Sequence, residues 1–101
     1  MNSLNQLILE GKCTGVRNTY GIHTYGNAVC FDVAATRDGE TTVFPVFAYG
    51  KLASAVSANI TDGTKVRLVG RLTRTKWTDE TGKRQAGISI VAEHIDFMGG
   101  K

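Results

Sequence analysis

Val29-Cys30-Phe31-Asp32-Val33-Ala34-Ala35-Thr36-Arg37, then Asp38-Gly39, then Glu40-Thr41-Thr42-Val43-Phe44-Pro45-Val46-Phe47-Ala48-Tyr49 is the stretch that decides the fold. Asp-Gly between two runs rich in β-branched and aromatic residues is the strongest short-range hairpin signal, because such a turn needs positive φ at its centre. A two-residue turn there predicts three cross-strand pairs: Phe31 with Val46, Val33 with Phe44, and Ala35 with Thr42. These make a coherent apolar face, which is read as core. The opposite face carries Cys30, Asp32 and Ala34 beside Val43, Pro45 and Phe47, with Tyr49 just beyond. Two aromatics mixed with an acid and a proline mark a face that a partner covers or that a ligand uses.

Outward from this hairpin the pattern stays short and mostly period-two. Leu4 to Lys12 reads as a strand, with Leu7 and Leu9 on one face and Ile8 on the other; Gly11 and Gly15 bracket its end. The turn residues of Asn18 to Asn27 predict a loop or irregular hairpin. Lys51 to Ile60 is the one good helix candidate. Leu52, Val56 and Ile60 form a narrow stripe, Gly50 is placed to cap its start, and Asp62-Gly63 follows its end. Lys65 to Trp77 alternates cleanly, with Val66, Leu68, Gly70 and Leu72 on one face and Arg67, Val69, Arg71, Thr73, Thr75 and Trp77 on the other. A hairpin loop over 78–83 leads to a returning strand from Gln85 to Phe97, where Ile88, Ile90 and Ala92 alternate with Ser89, Val91 and Glu93. Gly99-Gly100-Lys101 is expected to fray. The order is three strands, a helix and two strands. This predicts an all-β fold: a five-stranded OB-fold Greek-key barrel with one helix between strands 3 and 4, forming one domain over residues 1–98.

Composition agrees with a small β-domain. Of 101 residues, 42% are hydrophobic and 21% charged, with 12 Gly and 1 Pro, which argues against disorder or a proline-rich linker. No apolar run is long enough to span a bilayer, and the first six residues lack the charge and apolar core of a signal peptide. A cytoplasmic location is therefore expected, without a membrane partner. Twelve Lys and Arg against nine Asp and Glu give a net charge of +3. The charge is uneven: Lys65, Arg67, Arg71, Arg74, Lys76, Lys83 and Arg84 face only Asp79 and Glu80 between residues 65 and 84. Cys13 and Cys30 form no CxxC pair, and His23 and His94 lie far apart, so no zinc-ligand spacing occurs and both thiols are expected to stay reduced. No nucleophile elbow, HExxH or P-loop occurs either, so neither a catalytic centre nor a cofactor is expected.

Three stretches go beyond a generic barrel. Asn2-Ser3-Leu4-Asn5-Gln6-Leu7-Ile8-Leu9-Glu10-Gly11 resembles the first strand of bacterial single-stranded DNA-binding proteins. Ala48-Tyr49-Gly50-Lys51-Leu52-Ala53 resembles their strand-to-helix junction. Val69-Gly70-Arg71-Leu72-Thr73-Arg74-Thr75-Lys76-Trp77-Thr78-Asp79-Glu80-Thr81-Gly82-Lys83 is similar to their fourth strand and the hairpin after it. A weaker match runs from Val91 to Phe97. The resemblance implies an OB-fold, assembly as a homo-oligomer (most often a tetramer), and non-catalytic binding of single-stranded DNA in replication, repair or recombination. It also implies a nucleoid-associated location and contacts with replication or repair proteins. The chain departs from the family pattern in several places. Asn18-Thr19-Tyr20 follows Arg17 where Asp-Pro is usual. The hairpin at Asp38-Gly39 is short. Val43 stands at a usually aromatic position, and Thr73 and Thr75 stand at positions that are often basic. An acidic-tipped tail has no counterpart up to Lys101.

Sequence-independent binding of a single strand needs cations along the phosphates and flat aromatic faces for the bases. Trp77 leads the candidates, flanked by Arg74, Lys76, Lys83 and Arg84; its rival role is packing over the barrel end. Phe47 and Tyr49 share a parity and make a second stacking platform, with packing at a subunit interface as the alternative. Tyr25 and Tyr20 are candidate clamps in a loop. Lys51, Arg37, Arg17 and Lys12 are candidate phosphate contacts. Arg67 and Arg71 have the competing role of pairing with carboxylates between subunits. The competing function is a primosome-like OB-fold module that uses its surface mainly for protein contacts and binds nucleic acid weakly.

Overall fold

The computed structural model describes residues 3–19, 28–78 and 80–98, and the side chains at 15–19, 75 and 77 fall outside that description. It contains β1 (Leu7–Thr19), β2 (Ala28–Arg37), β3 (Glu40–Tyr49), α1 (Gly50–Asn59), β4 (Lys65–Thr78) and β5 (Arg84–Phe97). The strands close into a barrel in the order β1-β2-β3-β5-β4. Every neighbouring pair is antiparallel except β3 with β5, which join in parallel through Val46–Ile90 and Phe47–Val91. This is the expected five-stranded barrel with its helix between the third and fourth strands.

The deciding hairpin pairs as its turn requires. Asp38 and Gly39 both take positive φ, 53° and 82°, and the ladder runs without a slip from Arg37–Glu40 to Ala28–Tyr49. Phe31, Val33 and Val46 are fully buried. Around them gather Val66 and Leu68 of β4, Ile90, Ala92 and Ile95 of β5, and Cys13 of β1. Helix α1 packs on β2, β3 and β5 and inserts Ala53 and Val56, with Ile60 just past its end and Leu52 half-buried beside it. The expected stripe is correct. The cap lies one residue earlier than expected: extended Tyr49 occupies it, and Gly50 already begins the helix with φ 61°.

The first strand differs most from expectation. It does not end between Gly11 and Gly15 but continues to Thr19, including Asn18 and Thr19 from the expected loop. Residues Leu7 to Lys12 pair with β4, and Lys12 to Thr19 pair with β2, with a bulge between Cys13 and Gly15. At this changeover the turn after α1 takes up the backbone of β1: Cys13 N–H donates to the Thr64 carbonyl at 2.8 Å, and Gly63 N–H donates to the Cys13 carbonyl at 2.7 Å. Gly11 is needed for close approach: a Cβ there would stand 2.3 Å from the Ala34 carbonyl oxygen. Residues 20–27 and 99–101, read as loop and frayed end, lie outside the described residues.

The expected faces of β4 and β5 hold near the barrel centre. Past the barrel, Leu72 is 47% and Ile88 64% exposed, so neither belongs to the core. Conversely, Ser89 and Val91 on the other parity are buried, because β3 lies alongside β5 at this point.

The two cysteines occupy opposite faces of the β1–β2 ladder. Cys13 stands across from Val33 and Cys30 across from Arg17. Three strand positions separate them by roughly 10 Å, beyond the ~7 Å Cα limit for a disulfide. Burial pushes the Cys13 thiol up from 9.0 to about 11, and the Asp62 carboxylate adds to the rise. The native state therefore favours the protonated thiol. Its stability contribution is intact below pH 9 and is lost as pH rises toward 11. Thermal melts across that window should show an alkaline loss of stability that Cys13→Ala largely removes. Gly11→Ala should destabilise the barrel by about 1–3 kcal/mol or more, seen as a lower denaturant midpoint at unchanged slope.

Candidate nucleic-acid interface

The outer face of the sheet is organised by one row of residues that crosses all five strands: Arg17, Cys30, Phe47, Val91 and Arg71. Phe47 is at its centre. Tyr49 follows two residues later on the same face, and the two rings are nearly parallel, 12° between planes and 6.5 Å between centres. Cys30 stands across from Phe47 and Ala28 across from Tyr49, both buried, with buried Val91 on the far side of Phe47. Small or short neighbours leave room for the rings, which remain half-buried on a rigid sheet. Asp32 also lies on this face, half-buried across from Pro45.

The ladder of β4 and β5 extends unbroken from Gly70–Ala92 to Thr78–Arg84. Alternation along it assigns positions 71, 73, 75 and 77 to the parity of Val91, and so to the face that carries Phe47. Trp77 therefore occupies a register position on the aromatic face, paired with Gln85. The cations Arg74, Lys76 and Arg84 occupy the opposite parity. An open groove of about 520 Å³ at the hairpin is lined by Lys76, Thr78, Arg84, Gln85 and Ala86. Lys83 is exposed at the foot of the turn. The aromatic and cationic candidates thus share one hairpin but not one face. This division could have been found in the sequence, because Arg74 and Lys76 are even-numbered and Trp77 odd-numbered on a single strand.

Two other cations of the basic segment are committed within the chain. Arg67 donates from Nε and Nη2 to Glu10 Oε2 at 2.9 and 2.7 Å, and Arg71 Nη1 donates to Glu93 Oε2 at 3.0 Å. The carboxylate pairing considered for them is real, and it lies within one chain. Beyond them, Arg74, Lys76 and Arg84 are exposed along the hairpin.

The remaining candidates are scattered. Lys51 is exposed in the first turn of α1, next to Tyr49. Arg37 sits at the tip of the β2–β3 hairpin, nine residues along β2 from Ala28 and so roughly 30 Å from Tyr49. It lies 3.9 Å from Asp38, stands across from Glu40, and lines a separate groove of about 450 Å³ with Leu9, Ala35 and Phe44. Arg17 holds a register position in the central row, with its side chain outside the description. Tyr20 and Tyr25 lie outside the described residues. Sequence reasoning missed Ser89, Gln85 and Val91 as parts of the aromatic face; their shared parity was visible, but the parallel join that brings β3 beside them was not.

Comparison with known proteins bears on the family and the fold. A single-stranded DNA-binding protein of Helicobacter pylori is 31% identical over 75 residues, covering 74% of this chain and 35% of that protein. One from Aquifex aeolicus is 38% identical over 104 aligned positions, covering 94% of this chain and 70% of that protein. Among solved structures, a mitochondrial single-stranded DNA-binding protein from S. cerevisiae superposes with a TM-score of 0.78 at 11% identity, over 99% of this chain and 100% of that one. That likeness establishes the OB-fold. The profile of the Single-strand binding protein family matches residues 4–98, nearly the whole barrel with its helix and both hairpins, and the chain belongs to that family.

Proposed function

We propose that this chain binds single-stranded DNA, largely without regard to sequence and without catalysis, and so protects it during replication, repair or recombination. The observation that carries this reading is the parallel Phe47–Tyr49 pair, set on the same sheet face as position 77 and joined to a cationic hairpin. Stacking on aromatic faces serves every base, and cations follow a backbone common to every sequence. The reading includes assembly as a homo-oligomer, most simply a tetramer, because a barrel this small leaves Ile8, Val43 and Leu72 exposed. It also includes a cytoplasmic, nucleoid-associated location and contacts with replication or repair proteins.

One observation favours a second reading, a primosome-like protein-interaction module. The β2–β3 hairpin closes in two residues, and its tip sets Asp38 and Glu40 beside Arg37, a poor grip for a polyanion.

Trp77 is the only tryptophan, so its emission reports on one position. Titration with oligo(dT) should quench it strongly. Trp77→Ala should weaken binding by about 1–3 kcal/mol without unfolding the barrel, and Tyr49→Ala should act in the same range. If Trp77→Ala keeps full affinity but lowers the melting temperature steeply, that residue is structural and the interaction module is the better reading. Sedimentation should give an oligomer at micromolar concentration. A monomer would refute the assembly, and a dimer would favour the second reading.

A further inference from the structure

A nucleic-acid base is wider than a benzene ring, so a base stacked on Phe47 carries its edge out over the neighbours of that ring. The register names them. Ala28 and Cys30 on β2 and Val91 on β5 are buried. Ser89 is buried too, and Glu93 accepts from Arg71 Nη1 at 3.0 Å. Asp32 stands across from Pro45 and therefore diagonal to Phe47, roughly 7–8 Å away across the ladder. It is half-buried on the sheet face that carries the ring. Its direct cross-strand neighbours are Gly15 on β1 and Pro45 on β3, two residues without a polar side chain.

We infer that Asp32 reads the edge of the base stacked on Phe47 and gives an otherwise sequence-tolerant site a preference for guanine. The inference rests on the single-strand-binding reading above and adds a specificity-determining residue to it. An ionised carboxylate only accepts hydrogen bonds. The Watson–Crick edge of guanine offers it two adjacent donors, N1–H and the N2 amine, spaced to meet two carboxylate oxygens. Cytosine and adenine offer one amine beside an acceptor nitrogen. Thymine offers N3–H between two carbonyl oxygens, which a carboxylate repels. Hydrogen bonds to a charged group are the stronger ones, and a bidentate pair discriminates between bases. A carboxylate has about four lone-pair sites, so it keeps acceptors for a ligand while it serves a partner within the chain. Attraction to phosphate gives no account of an acid on this face, because an acid weakens the binding of every sequence alike. Complementarity to a donor edge does account for it.

The test uses the full chain and three labelled oligodeoxynucleotides of about 12 nucleotides, within the span of one OB-fold. They are thymine alone, a thymine-thymine-guanine repeat, and the same repeat with hypoxanthine in place of guanine. Hypoxanthine keeps N1–H and the fused ring for stacking but lacks the N2 amine. The wild type should bind the guanine repeat about fivefold or more tighter than thymine alone, and about threefold tighter than the hypoxanthine repeat. Asp32→Val keeps a strand-forming side chain without acceptors or charge. It should erase the difference between guanine and hypoxanthine and tighten the thymine oligonucleotide. Asp32→Asn keeps the shape and one acceptor, so it should shrink that difference, and it replaces the valine variant if that one does not fold. Equal wild-type affinity for the guanine and hypoxanthine repeats overturns base reading by Asp32. A guanine preference that survives both substitutions overturns it too, and uniform tightening of all three oligonucleotides with their ratios kept means that the acid only repels phosphate. If the wild type binds none of the three, the single-strand reading itself falls.

Discussion

Everything in this barrel depends on β1 serving two neighbours. Its first half completes β4 and its second half begins β2, and the change occurs within a few residues of Cys13. A strand can do this only if it bends sharply and lets another backbone come very close. The bulge after Cys13 supplies the bend. Gly11 allows the approach to the Ala34 carbonyl, and the Gly63–Thr64 turn takes the Cys13 amide and carbonyl. These bonds satisfy backbone groups that would otherwise be buried without partners. At the far end of the shared edge, the Asn5 side chain takes the place of a strand residue: its amide donates to the Leu72 carbonyl at 2.9 Å and accepts from the Leu72 N–H at 3.0 Å.

Closure on that side determines what is left on the other. The parallel join of β3 to β5 occupies only two residue pairs, so β5 and its partner β4 soon leave the barrel as a free ribbon. That short join nevertheless places Phe47 beside Val91 and makes one continuous outer face from the aromatic pair to the ribbon. In the proposed function a rigid sheet and a projecting hairpin have complementary parts: the first positions stacking surfaces, and the second carries charge into solvent.

The ion pairs on the outer face matter more for the charge map than for stability. Arg67 with Glu10 and Arg71 with Glu93 are about half exposed, and such surface pairs each contribute about 0–1 kcal/mol. Their effect is to pair Arg67 and Arg71, two cations of the basic segment, with carboxylates of the same chain. Of the cations in residues 65–84, Arg74, Lys76, Lys83 and Arg84 lie in or beside the hairpin beyond these pairs.

Local chemistry in the sequence was enough to determine the elements. The Asp38-Gly39 turn set the β2–β3 register, the Leu52–Val56–Ile60 spacing set the helix face, and alternation from Lys65 onward set the parity of Trp77 and Arg74. The stretches around Tyr49 and Trp77 carry the resemblance to the single-strand binding family by themselves. What depends on contacts between distant segments was not legible. The continuation of β1 beyond Gly15, the burial of Ser89 and Val91, the exposure of Leu72 and Ile88, and the pairing of Arg67 with Glu10 are such cases. Each follows from which strand lies alongside which, and for how many residues. Side-chain period and turn chemistry act over a few residues and are written in order along the chain. Burial and charge pairing depend on neighbours supplied by barrel closure, so only the tertiary structure decided them.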